Sequence, residues 1–322
     1  MLGQLPAGAS QDPSFDDQWA LDRINAEQAW ASSTGEGVRI GIVDTGIDLA
    51  HEDLANQVVA HASCVGAEGD AAKCGGSGQD DQGHGTHVAG IAAATKDNHK
   101  GIAGVAPDAD LVVAKVLDAQ GRGSTTDVLA GIKWAVDNGA QVVNLSLGDP
   151  TSILTGLVGS PHALAEGLQY AWAHGAIPVV AAGNSNTLGL GLEGASNNGV
   201  NAVVVSASGP DNRPAKYSTP TGEARFAILA PGGAGTGEPT GDVYSTMWDP
   251  EKPNSYAALA GTSMAAPHVS GALALLLAEG LNPVDAVKTM MASADETVSC
   301  GSGSPTCAGL LDVGAAVAAP QR

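Results

Sequence analysis

A chain of 322 residues has enough length to bury one large core or two small ones, and a formal charge of −20 argues against nucleic acid or an anionic membrane as partner, since either asks for a basic face. Apolar residues make up 43% but aromatics only 3%, so the core must be built from Ala, Val, Leu and Ile, and 44 glycines point to tight turns and close backbone approaches. No run of 18 apolar residues exists, so no spanning helix is expected; GALALLLAEG (271–280) is the best candidate and reads as a buried helix.

The opening MLGQLPAGAS lacks a basic stretch followed by a full apolar one and is not a signal peptide, so an export signal is either absent or trimmed away. VRIGIVD (38–44) predicts a strand running into a turn, and THVAGIAAA (86–94) a small-residue helix with His84 just before it. DLVVAKVL (110–117) is a strand, and TDVLAGIKWAVDNG (126–139) a helix capped at Thr125 or Thr126 and stopped at Gly139. QVVNLSLG (141–148), AIPVVAAGN (176–184), NAVVVSAS (201–208) and ARFAILAPG (224–232) are further strands; HALAEGLQYAWAHG (162–175), the segment from Ser263 onward and NPVDAVKTMMASA (282–294) are further helices. Strands alternating with helices predict an α/β fold with a mostly parallel central sheet covered on both faces. With no fixed-period repeat and no long linker, residues 1–322 form one expected domain, 1–11 and 316–322 being peripheral tails.

Four cysteines fall as two local pairs, Cys64 with Cys74 and Cys300 with Cys307, each inside a Gly- and Ser-rich segment. No C-x-x-C or His-rich spacing supports zinc, so two small disulfide loops and an oxidising, extracellular compartment are expected, with free thiols as the alternative.

In a parallel sheet, polar residues at the carboxyl ends of strands converge on one edge, where ligands bind. Asp44 ends the first strand, Ser146 follows VVNL and Asn184 ends PVVAAG, while GTSMAAPH (261–268) places Ser263 at a helix start. Each has a plain structural reading: Asp44 as a turn cap, His84 as a packed histidine, Asn184 as a left-handed turn residue, Ser263 as a helix cap. Together they supply what acyl transfer needs. A serine is too weakly acidic to attack an amide unless an imidazole takes its proton and a carboxylate holds that imidazole. A helix N-terminus favours the negative charge that develops. Gly261 and Ala265 leave clearance for a carbonyl, and Pro267 is expected to be tolerated because first-turn N–H groups have no helical acceptor.

DTGID (44–48), GHGTHVAG (83–90), SLG (146–148), AAGN (181–184) and GTSMAAPH, in the order Asp, His, Asn, Ser, resemble the subtilisin-like (subtilase) serine endopeptidases over nearly the whole chain. The resemblance implies a subtilisin-like fold in which Asp44 orients His84, His84 is the general base and later acid, and Ser263 is the acylated nucleophile. Asn184 would donate to the oxyanion beside the Ser263 backbone N–H, with Thr262 as a possible helper. His87 matches a packed helix residue, and a zinc reading of the two histidines is weak without HEXXH.

Substrate is implied to bind as an added strand between Ser146–Leu147–Gly148 and the Gly121–Gly123 turn. The primary pocket would be walled by Ser146–Gly148 and Ala181, Ala182 and Gly183, and Ser185 brings no charge to it. Broad specificity with an apolar-leaning P1 follows. Three stretches depart from the family pattern: the extra loop GDPTSILTGLVGSPHA after SLG, GLEGAS (191–196), and the enlarged 62–80.

QDPSF (11–15) followed by QWALDRINAEQAW resembles the thermitase-like branch and implies a Ca²⁺ site from Asp12, Asp53, Asn98 and the carbonyls of Thr95, Lys100 and Ile102. Glu68, Asp70, Asp80 and Asp81 are candidates for a second ion. The expected protein is a secreted, monomeric serine endopeptidase acting on polypeptides, with neither nucleic-acid nor membrane partner. Its start just before the mature-like region implies an inhibitory N-terminal pro-segment, removed or supplied separately. The alternatives are a catalytically silent binding scaffold on the same fold and, more remotely, a nucleotide-binding enzyme, which lacks its phosphate-binding loop.

Overall fold

Alternation along the strands decides the layers. In β1 (Arg39–Asp44), Ile40 and Ile42 face one side and Val43 the other; in β3 (Asp110–Lys115), Leu111 and Val113 oppose Val112 and Ala114. Both faces are therefore apolar, as a sheet buried on both sides requires. The computed structural model describes residues 10–147, 157–158, 161–184 and 201–319. With β2 (Val58–Ser63), β5 (Val142–Leu145), β7 (Ile177–Ala181), β8 (Val203–Ser208), β9 (Phe226–Pro231) and β12 (Cys307–Leu310), these strands form an eight-stranded parallel sheet in the order β12–β9–β8–β7–β5–β1–β3–β2.

One face is covered by α3 (His84–Ala93), α6 (Thr262–Ala278) and α7 (Pro283–Ala292), following the short α1 (Trp19–Arg23) and α2 (Ala26–Ala29). The other carries α4 (Thr125–Asp137) and α5 (Pro161–Ala173). The fold is the expected one. The small side chains along α3 and much of α6 let these helices lie close to the sheet, so that a core with few aromatics is buried on both faces. Among the described residues no single helix is long and apolar enough to cross a membrane.

Several elements are absent from the sequence reading. β2 is an edge strand and alternates only weakly. β10 (Val243–Met247) and β11 (Ser255–Leu259) form an antiparallel hairpin outside the main sheet, and β12 is short and glycine-bearing. The cap of α4 is Ser124, whose Oγ accepts the Asp127 N–H at 3.0 Å, and not either threonine. The C-terminal tail starts later than expected: α8 (Val313–Ala318) buries Ala316 in the main core, and at the other end Ser10 is already buried. Residues 1–9 and 320–322 lie outside the described residues.

Two histidines are buried uncharged. His87 binds the Ala257 carbonyl through Nε2 at 3.0 Å, and His268 binds the Met264 carbonyl through Nδ1 at 2.8 Å. Burial pushes the first down to about 3 and the second down to about 4. The unfolded chain takes up protons at both near pH 6.5 while the folded one does not, so stability is complete above that pH and is lost as pH falls toward 4. Each histidine steepens the loss by up to about 1.4 kcal/mol per pH unit. Denaturant midpoints measured from pH 7 to pH 4 should fall steeply, and His268→Gln should flatten the curve; an unchanged slope would refute the assignment.

Candidate active site

The strand order reverses around β1, whose neighbours β3 and β5 lead to opposite halves of the sheet. A crevice at the carboxyl ends is the usual result. Asp44 is the last residue of β1 and fully buried, and its Oδ1 accepts the Thr45 N–H at 2.7 Å and His84 Nδ1 at 2.8 Å.

His84 is the first residue of α3, not the residue before it. Its turn is made by Gly83 at φ 107° and held by Asp80, whose Oδ1 accepts the Gln82 and Gly83 N–H groups at 3.0 Å. The other oxygen of Asp80 accepts the Thr86 N–H at 3.0 Å and its hydroxyl at 2.5 Å, placing a carboxylate on the helix N-terminus where the dipole favours it. Gly85 sits so close to β1 that a Cβ there would stand 2.1 Å from the Gly46 carbonyl oxygen and 3.1 Å from Asp44 Cβ. This contact sets the distance between the histidine's helix and the aspartate's strand. The buried Lys115, at the end of β3, donates to the carbonyls of Thr45 and Leu117 at 2.7 Å and to Asp81 at 2.6 Å. One ammonium thus ties together the loops after β1, after β3 and before His84.

Ser263 lies in the first turn of α6, largely buried. Its hydroxyl donates to the Ser146 carbonyl at 3.3 Å, and the Ser146 hydroxyl donates back to the Ser263 carbonyl at 2.8 Å. The expectation for Pro267 needs correction. With α6 beginning at Thr262, the proline lies beyond the first turn and removes a bond inside the helix.

Asn184 follows β7. Its Oδ1 accepts the Thr262 N–H at 2.8 Å and the Thr262 hydroxyl at 3.1 Å, and Thr262 Oγ1 in turn accepts the Gly183 N–H at 3.1 Å. Thr262 therefore acts on the orientation of Asn184. A Cβ built on Gly261 would lie 3.4 Å from Asn184 Nδ2 and 3.6 Å from the Ser263 nitrogen, so both donors border one spot that the glycine leaves open.

Parallel pairing of Leu145 with Val180 carries Ser146 and Leu147 alongside Ala181, Ala182 and Gly183, which brings the two expected pocket walls together. Gly121 makes a left-handed turn at φ 67°, and β4 (Gly123–Ser124) pairs in parallel with β6 (Leu157–Val158), so these two residues of the extra stretch lie beside the expected substrate strand. Gly148, Ser185, 149–156 and 191–196 lie outside the described residues.

Asp12 and Asp53 both face the 95–102 loop. Asp12 accepts the Asp97 and His99 N–H groups at 2.8 and 2.9 Å; Asp53 accepts Asn98 Nδ2 at 2.8 Å, the Ile102 N–H at 3.1 Å and the Tyr256 hydroxyl at 2.8 Å. Thr95 donates its N–H to the Asp53 carbonyl at 3.0 Å and its hydroxyl to Gln57 Oε1 at 2.5 Å, and the Lys100 N–H goes to Asn98 Oδ1 at 2.8 Å. The four candidates for a second ion do not converge: Glu68 pairs with Lys73, Asp70 caps a short turn, Asp80 holds the His84 turn and Asp81 pairs with Lys115. Among the described residues no cluster of three or more His, Cys, Asp or Glu could hold a metal. Both expected disulfides, Cys64–Cys74 and Cys300–Cys307, are formed.

Asp80 was read only as a candidate ion ligand, and Lys115 and Thr45, whose hydroxyl accepts the Gly85 N–H at 2.8 Å, were not foreseen. Lys115 could have been: a lone cation ending an apolar strand needs partners, and the strand-end loops are the place to find them.

An Asp–His pair at the strand ends, a serine at a helix N-terminus and two N–H donors beside it define a serine hydrolase. Residues 35–307 match the subtilase (peptidase S8) family, and the chain belongs to that family; it is a serine endopeptidase with the subtilisin-like α/β fold. It is 37% identical to thermitase of Thermoactinomyces vulgaris over 90% of this chain and 93% of that one. Identity to subtilisin DY of Bacillus licheniformis is 38% over 81% of this chain and 84% of that one. A solved protease structure from Pseudoalteromonas arctica PAMC 21717 superposes with a TM-score of 0.79 at 29% identity, covering 96% of this chain and 98% of its own.

Proposed function

We propose that the chain is a secreted, single-domain, monomeric endopeptidase that cleaves extended polypeptides through an acyl-enzyme on Ser263, with broad specificity and an apolar-leaning P1. The observation that carries this reading is the buried 2.8 Å bond from His84 Nδ1 to Asp44, at the same strand edge as Ser263. With Nδ1 committed to the carboxylate, Nε2 is the end of the ring that takes a proton. Attack requires the Ser263 hydroxyl to turn from the Ser146 carbonyl toward His84, a rotation about one side-chain bond. As the substrate carbonyl becomes tetrahedral, its oxygen gains charge near the Ser263 N–H and Asn184 Nδ2, the donors that border Gly261. His84 then gives its proton to the leaving amine, and water repeats the sequence in reverse on the ester. Ser146, Leu147, Ala181, Ala182 and Gly183 present small or apolar side chains and backbone to the P1 residue, which supports the preference proposed. Two disulfides and the acidic surface support an extracellular setting.

A Ca²⁺ ion is proposed against the 95–102 loop, held by Asp12, Asp53, Asn98 and the carbonyls of Thr95, Lys100 and Ile102. The donor set suits it: oxygen only, with two buried carboxylates facing one loop. Asn98 would have to turn its side-chain amide over to offer Oδ1. When bound, the ion supplies stability at a distance from the chemistry.

Intact mass after treatment with a fluorophosphonate tests the central reading. A single adduct on the wild type and none on Ser263→Ala is the expected result, with EDTA lowering Tm and slowing labelling. A folded, calcium-loaded protein that takes no adduct would put the silent-scaffold reading in its place.

A further inference from the structure

Helix α6 carries a proline where a helix needs an N–H. Pro267 stands four residues after Ser263, so the amide that would close the helical hydrogen bond onto the Ser263 carbonyl does not exist. That carbonyl is nevertheless paired, because the hydroxyl of Ser146, the residue just after β5, reaches it at 2.8 Å. A hydroxyl has one hydrogen, so its direction depends on what its lone pairs receive. The Ser146 oxygen receives Nδ2–H of Asn144 at 2.9 Å, which sends its hydrogen to Ser263. The Asn144 amide could in principle sit either way round. Ser270 favours the orientation seen by donating to Asn144 Oδ1 at 2.8 Å, closer than its 3.2 Å contact to the Ala266 carbonyl; turned over, the amide would take the Ser146 hydrogen for itself and leave the Ser263 carbonyl without its donor. Ser270 lies two helical turns beyond Ser263 and so on the same face of α6, against β5. Asn144, Ser146 and Ser270 are all fully buried, where such bonds are strong and a missing one is costly.

We propose that Ser270 is a positioning residue for the nucleophile: the directed chain from Ser270 through Asn144 and Ser146 replaces the helical bond that Pro267 deletes and fixes the backbone on which Ser263 is mounted. The Ser263 side chain must swing during acylation while its own N–H stays aimed at the oxyanion. A carbonyl with no helical partner is the weak point in that mounting, and the chain removes the weakness. The proposal rests on Ser263 being the acylated residue.

The test compares the wild type with Ser270→Ala, Ser270→Thr and Asn144→Asp, well below the lowest Tm. The fluorophosphonate labelling rate is read beside kcat and KM for a peptide substrate. Ser270→Ala should slow labelling and kcat about three- to tenfold, the loss of roughly one buried hydrogen bond, with KM within about twofold. Ser270→Thr keeps the hydroxyl and should recover most of the rate. Asn144→Asp has no donor for Ser146 and should be slower than Ser270→Ala. Wild-type labelling rates in folded Ser270→Ala, or in folded Asn144→Asp if the first variant does not fold, would overturn the proposal. So would a folded Ser270→Thr that is as slow as Ser270→Ala. A wild type that takes no label at all would instead refute the assignment of Ser263.

Discussion

Asp44→Asn is expected to lower kcat by about 10³-fold while leaving KM within about twofold. Two N–H donors, from Thr45 and His84, converge on the same oxygen, Oδ1. The asparagine can keep its carbonyl there, so the imidazole should hold its tautomer. In the proposed mechanism, what disappears is the negative charge that steadies the imidazolium formed when Ser263 gives up its proton. The new NH₂ would fall where Oδ2 is buried without a protein partner among the described residues, so it would be a buried donor with no protein acceptor. Steady-state kinetics with a short peptide, beside a thermal melt, check both halves. A variant with wild-type kcat would remove Asp44 from the mechanism, whereas a raised KM at unchanged kcat would assign it to substrate binding.

Gly85→Ala should be nearly as damaging, for a steric reason. A Cβ 2.1 Å from the Gly46 carbonyl oxygen cannot be accommodated, since the offended atom is backbone and has no rotamer to change. The start of α3 would have to retreat from β1 by about 1 Å, stretching the His84–Asp44 bond, and a displacement of that size costs about a hundredfold in rate. Overpacking should also take about 1–3 kcal/mol from stability. The expected signature is a lower kcat together with a lower Tm, in contrast to Asp44→Asn, where the rate falls further than the fold weakens. A well-folded Gly85→Ala with wild-type kcat would show that the contact does not set the catalytic distance.

Much of this was legible in the chain because the chemistry is carried by short words at strand ends. An apolar run closing on DTG, or on SLG, announces both the strand and the polar residue it delivers, and two helices with small side chains announce how closely they lie on the sheet. What the sequence did not reveal depends on partners far away in the chain. The hairpin of β10 and β11 packs on α3 through the carbonyls of Thr86 and His87, a contact that no local period encodes. Acidic residues close in sequence suggested a second ion, yet each points to a different lysine, helix end or turn. Ser124 displaced two threonines as the α4 cap because only its hydroxyl lies in line with the Asp127 N–H. Pro267 was read from helix position alone, and its meaning changes once Ser146 is seen to cover the carbonyl it leaves bare.

The all-parallel sheet has a further consequence, for the time the chain takes to fold. None of its eight strands can pair with a sequence neighbour through a tight turn; each crossover waits for a helix or a long loop, and β9 waits for β12 until α6 and α7 have been made. Pairings this distant are slow to form, because the entropy of closing each loop is lost before the contact returns anything. For an enzyme that cuts extended chains, every copy still searching for its sheet is a substrate for those already finished. Strand order therefore sets how long each molecule stays exposed to cleavage by its own kind.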